Sequence, residues 1–166
     1  MTSVFDRKTS TVITLDVLAF VLVYFMPAIA HLTPVPFYII EPIRIMVLIS
    51  VVVLNSKYNA MFLALTLPLF SYILASHPLF IKSLLISIEM VCNVIVYAAL
   101  IKRINKPFWS LLISIIASKL FYYLLKFGLI SIGLLSMSLI STSLIVQFIV
   151  AVTTAGLFSQ IQKQLK

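Results

Sequence analysis

Apolar runs close to twenty residues long recur along almost the whole chain, separated by short polar or charged connections. That length matches an α-helix crossing a hydrocarbon core of about 30 Å. Six such runs use up nearly all of the 166 residues. Of those residues 63% are hydrophobic and only 10% are charged, against about 25% charged in an ordinary soluble domain. A chain so poor in charge cannot cover a water-facing surface. The expectation is therefore an all-α integral membrane protein, folded as one domain over residues 1–166. Its compact bundle of six transmembrane helices has spans near 11–30, 38–54, 58–75, 79–101, 107–129 and 135–158. Short connections make successive helices antiparallel neighbours. No length remains for a soluble catalytic or nucleotide-binding domain.

The net charge of +8 would suit nucleic acid only if the basic residues formed a continuous patch. They are instead distributed between the apolar runs, as membrane topology requires. Arg7, Lys8, Lys57, Lys102, Arg103, Lys106, Lys163 and Lys166 fall at one set of span ends, and Lys82 and Lys126 at the other. The positive-inside rule then puts both termini in the cytoplasm, in a multi-pass protein of the cell membrane without a nucleic-acid partner. The single cysteine, Cys92, lies inside an apolar run, which excludes an internal disulfide and reads as packing. Arg7 and Lys8 followed by an apolar stretch ending Ala28-Ile29-Ala30 resemble a signal peptide. The stretch is long for a signal core, and Pro27 and His31 read as the loop after a retained first span.

Ionisable groups inside a bilayer are costly, so those present point to cavities or partners. The four acids are Asp6, Asp16, Glu41 and Glu89. Asp6 lies in the N-terminal tail and Asp16 near the cytoplasmic end of the first span. Glu89 falls near the middle of the fourth span, and Asn93 and Tyr97 follow at i+4 and i+8, on one helical face. Such a stripe faces inward, either as an interhelical bond (a Glu89–Lys119 pair, for example) or as part of a ligand pocket. A second polar group gathers toward the outer surface. It comprises His31, Glu41, Arg44, Tyr72, His77, Lys82, Lys119, Tyr122, Tyr123 and Lys126. Taken singly, each of these is commonly structural, since Tyr and Lys populate membrane interfaces. Taken together, three or four basic groups against two acids favour a ligand bearing a carboxylate or phosphate.

Catalytic signatures are missing. There is no Gly-x-Ser-x-Gly elbow, no HExxH helix and no phosphate-cradling loop, and the chain has three glycines. No cofactor or metal is expected. Ligand types alone would allow a metal at His31, His77, Glu41 and Glu89, but their spacing is not that of a metal motif.

The order of features from Pro27 to Tyr97 resembles the substrate-binding (S) component of energy-coupling factor (ECF) vitamin transporters. The elements of the resemblance are Pro27 to His31 ending the first span, Pro42 to Arg44 opening the second, and Pro68-Leu69-Phe70-Ser71 in the third. His77-Pro78 before the fourth and Glu89 to Tyr97 within it complete the set. The resemblance covers about 70 residues by motif and the whole chain by topology. It implies a non-enzymatic subunit that captures a vitamin-like or other small organic molecule from outside. Such a subunit delivers its ligand together with a transmembrane coupling subunit and two ATPase subunits. The implied substrate-binding residues are His31, Glu41, Arg44, Tyr72, His77, Lys82, Glu89, Asn93, Lys119 and Tyr123. The Ala-x-x-x-Ala spacing that many members use to contact the coupling subunit falls here at Ala60 and Ala64, on the third span rather than the first. The rival expectations are a structural or assembly subunit of a larger membrane complex, whose buried charges pair with partner helices, and a membrane-embedded enzyme using His31 or His77.

Overall fold

The computed structural model describes residues 2–32, 37–75, 79–136, 138–140 and 142–165, with side chains from residue 9 onward except at 30, 31, 37, 38 and 75. Among the described residues there is no strand. The chain forms α1 (Thr2–Leu32), a 3-10 turn (Phe37–Ile40), α2 (Pro42–Leu48), which runs into a π turn (Ile49–Val53), α3 (Lys57–Ala75), α4 (Phe80–Ile104), α5 (Pro107–Ser131) and α6 (Leu144–Gln164). Among the described residues, four segments are long and apolar enough to cross a membrane: Thr9–Ile29, Phe80–Ile104, Pro107–Ser131 and Leu144–Gln164. They mark a membrane protein.

The expected third span, α3, is not among these four, and the second and sixth take a different form. The second is broken into the 3-10 turn, α2 and the π turn, because Glu41 adopts a left-handed conformation (φ 53°) and Pro42 restarts the helix at its first position. Pro42–Val53 is a shorter apolar helix, about 18 Å long at 1.5 Å per residue. The sixth begins at Leu144 rather than 135. Gly133 (φ 75°) ends α5, and the Gly133 and Leu134 amides donate to the Ile130 and Leu129 carbonyls, closing the helix in Schellman fashion. The following stretch carries Ser136, Ser138, Thr142 and Ser143, whose hydroxyls compete for backbone groups. Pro27 also departs from expectation. It lies inside α1 rather than in a loop, a position that membrane helices tolerate because other groups satisfy the freed carbonyl.

The connection between α4 and α5 is the shortest. Asn105 (φ 50°) ends α4 in the left-handed region, its amide bonded to the Ile101 carbonyl, and Pro107 opens α5 two residues later. The two helices therefore fold back as close neighbours, and α4 packs most extensively against α5 and α3. The core combines Ala19 and Val23 of α1, Val47 and Leu48 of α2, Ala60, Leu63, Ala64 and Leu67 of α3, Met90 and Val94 of α4, Leu111 and Ile115 of α5, and Ala151 and Ala155 of α6. Alanines at these positions let helix backbones approach closely, the way membrane helices pack. Ala60 and Ala64 are both fully buried, so their spacing serves the interior of this bundle and offers no surface to another subunit. Ile13, Val17, Leu18, Val21, Tyr24 and Phe25 of α1 face outward, as suits a helix against lipid.

Candidate functional site

Polar side chains enter this apolar core mainly along the α4–α5 seam. On α4 the positions Glu89, Asn93 and Tyr97 follow one another every fourth residue, and all three are buried. On α5 the same interval sets Ser110, Ser114 and Ser118 in line, also buried. A fourfold step keeps side chains on one face of a helix, so two polar ladders meet where the helices pack. Asn93 Nδ2 donates to Ser114 Oγ (3.3 Å) and Ser118 Oγ (3.4 Å). Those hydroxyls in turn donate to the carbonyls of Leu111 (2.8 Å) and Ile115 (3.0 Å).

One turn from Asn93, four charges from three elements meet. Arg44 of α2, only 2% exposed, gives Nη2 to Glu89 Oε1 and holds Nε 2.5 Å from Glu41 Oε2. Lys119 of α5 donates to Glu41 Oε1 and stands 3.6 Å from Glu89 Oε1. Two cations and two carboxylates alternate around a closed quartet. Burying any one of them alone would cost several kcal/mol, and only mutual pairing offsets that cost. Glu41 reaches its place through its left-handed backbone, a conformation that a non-glycine residue holds at a cost of about 1–3 kcal/mol when its surroundings impose it.

The pairing is incomplete. Arg44 Nη1 is buried without any acceptor, and Nε meets its carboxylate as a charge contact rather than an aligned hydrogen bond. Asn93 Oδ1 is buried without a donor, as is Ser110 Oγ without a partner. Unsatisfied buried polar atoms are rare in native proteins, and here one residue that carries them, Arg44, is bonded to Glu89, and another, Asn93, follows Glu89 by one turn.

Toward the C-terminal end of α5, Tyr123 donates its hydroxyl to Gln147 Oε1 of α6 (2.8 Å), and Gln147 Nε2 bonds to the Thr142 carbonyl (2.9 Å). Lys126, buried, donates to the Leu139 carbonyl (2.9 Å) with its ammonium 5.9 Å from the Tyr122 ring centroid. At the other end of α4, Tyr97 donates to Gln162 Oε1 (3.0 Å). A separate polar contact links α1, the π turn and α3: Asn59 Nδ2 donates to Asp16 Oδ1 (2.8 Å) and to Ser50 Oγ (3.1 Å).

Of the ten residues singled out from the sequence, Glu41, Arg44, Glu89, Asn93 and Lys119 come together at this point. Tyr123 lies one turn beyond Lys119 and is engaged with α6. Lys82 is half-buried near the start of α4. Tyr72 packs its ring against Phe80 (5.5 Å between centroids), away from the quartet. His31 lies in the last turn of α1, but its side chain falls outside the described residues, as does the whole of His77. Sequence reasoning passed over Ser114, Ser118 and Gln147. The four-residue serine spacing on α5 was available as a signal, whereas nothing in the sequence pairs Gln147 with Tyr123. Among the described residues no three His, Cys, Asp or Glu side chains are placed to hold a metal. No protein-family model, curated protein or solved structure matches this chain.

Proposed function

We propose that this chain is a substrate-capture subunit of the cell membrane that seats a small polar molecule beside the Glu41–Arg44–Glu89–Lys119 quartet. The observation that carries the reading is the pair of buried, unengaged atoms there, Arg44 Nη1 and Asn93 Oδ1. They are a donor and an acceptor waiting for a partner inside an apolar bundle. A purely structural ion cluster would gain from closing on itself completely. The backbone strain at Glu41 agrees with a site held ready for a ligand rather than one optimised for stability.

The remaining elements of the proposal follow from the segment order and from the resemblance to ECF S components. The six helical segments run alternately up and down, with the composite Phe37–Val53 segment as the second crossing, both termini cytoplasmic and the quartet in the outer half. The ligand is taken up from outside, and a transmembrane coupling subunit with two ATPases carries out the delivery. Because Ala60 and Ala64 are buried, the coupling contact must use another surface. The assembly-subunit alternative needs the charged side chains to face partner helices. It is not favoured, since Arg44, Glu89, Glu41 and Lys119 turn inward against one another.

Native mass spectrometry of the gently purified protein tests the proposal. The wild-type chain should carry a small-molecule adduct that the Asn93→Ala variant loses. A bare mass for both proteins, or an adduct indifferent to Asn93, contradicts it.

A further inference from the structure

The charge and hydrogen-bond polarity of the seat restrict what it can hold. Arg44 and Lys119 contribute two positive charges, and Glu41 and Glu89 two negative ones, so the quartet sums to zero. A ligand bearing a net charge would leave that charge uncompensated in a medium that opposes it. The orphaned atoms then set the polarity of the contacts. Arg44 Nη1 is a donor and requires an acceptor. The polarity of Asn93 follows from its neighbours. Ser114 and Ser118 have already given their protons to Leu111 and Ile115, so they can only accept. The amide must therefore turn its Nδ2 toward them, leaving Oδ1 as the atom that needs a donor.

Both residues are tied to adjacent turns of α4. Glu89, which Arg44 grips, precedes Asn93 by four residues, an axial step of about 6 Å. A flat group carrying an acceptor and a donor side by side, with a hydrogen bond of about 2.9 Å at each, would satisfy both atoms. We infer that the captured molecule is uncharged overall and presents an amide-type face, as in a lactam or cyclic urea, with its carbonyl oxygen on Arg44 Nη1 and its N–H on Asn93 Oδ1. The inference rests on the capture reading and narrows it. It departs from the anionic ligand expected from counting basic residues, because two of those residues are matched by carboxylates. Lys126, with its ammonium on the Leu139 carbonyl and over Tyr122, belongs to another part of the seam.

The test uses the full-length protein in lipid nanodiscs and three small probes of similar size. They are 2-imidazolidinone (a neutral cyclic urea), propionate and ethylammonium, compared by saturation-transfer NMR at millimolar concentration. The wild-type protein should bind 2-imidazolidinone about tenfold more tightly than either ion, and Asn93→Leu should lose about tenfold of that affinity. The Glu89→Gln variant, whose quartet carries one net positive charge, should shift its preference toward propionate by about tenfold. It gives a second decision if Asn93→Leu does not fold. Tightest binding of propionate or ethylammonium by the wild type overturns the neutral-ligand inference and leaves the capture reading standing. Binding of none of the three, together with a bare native mass, removes both and leaves a structural cluster completed by water.

Discussion

Arg44 holds the centre of the polar network, because its guanidinium fork touches both carboxylates while Lys119 reaches them from the far side. The two cations are unequal. Arg44 is 2% exposed and Lys119 18% at its side chain, so the loss of Arg44 strands both carboxylates in a drier place. Arg44→Met should destabilise the protein by about 3–5 kcal/mol, the cost of leaving a buried charge uncompensated. Lys119→Met should cost distinctly less, and thermal unfolding in a single detergent ranks the two. Equal losses would mean that Lys119 shares the burden. A milder effect belongs to Tyr123. Tyr123→Phe removes the hydroxyl that donates to Gln147 Oε1 and accepts from its Nε2 and should cost about 0.5–1.5 kcal/mol in the same measurement. At this scale the sequence was most informative where periodicity could speak: Glu89, Asn93 and Tyr97 share a face by spacing alone, and all three are buried. It could not show that Arg44 would serve Glu41 and Glu89 together. That depends on a left-handed residue at Glu41 and on how α2 meets α4, which are set by tertiary packing.

The two helices that carry the seam are joined by one strained residue. Asn105 closes α4 with φ 50°, where a β-branched side chain costs about 1–2 kcal/mol. Asn105→Val should therefore lower stability by about that amount, and Asn105→Gly should leave it nearly unchanged, which thermal unfolding again reports. A comparable loss for both variants would assign the role to the asparagine side chain instead. Lys102, Arg103, Lys106 and Pro107 made this boundary legible, since charge and proline interrupt the hydrophobic pattern there. The start of α6 was harder to read. The stretch from Ile132 to Ser143 alternates leucine, isoleucine and serine with no charge, so its hydropathy resembles a span although its hydroxyls and Gly133 favour irregular backbone. The second segment misled for a related reason. Its composition is as apolar as its neighbours, and only Glu41-Pro42 indicates that one continuous helix does not form.

Across the molecule, the exposed apolar faces of α1, α4, α5 and α6 surround an interior that holds, among the described residues, the ion pairs of the quartet and the Asn93 hydrogen bonds. That is the reverse of a soluble protein, and it follows from lipid as the surrounding solvent. In the proposed arrangement, six alternating segments return the chain to its starting side. Single cysteines introduced in a Cys92→Ala background at Lys102 and Lys163 should react with an impermeant maleimide from the cytoplasmic face, and one at Leu134 from the outer face. Opposite-side labelling of Lys102 and Lys163 would refute the six-crossing arrangement. The claim on which everything else depends is that a small molecule completes the hydrogen bonding of Arg44 and Asn93. The most direct measurement is an experimental density map of the protein, crystallised from lipidic mesophase without stripping bound molecules. Density larger than water should touch both Arg44 Nη1 and Asn93 Oδ1. A single water at that position, or a rearranged Arg44 whose nitrogens are all taken by protein acceptors, would contradict the capture role.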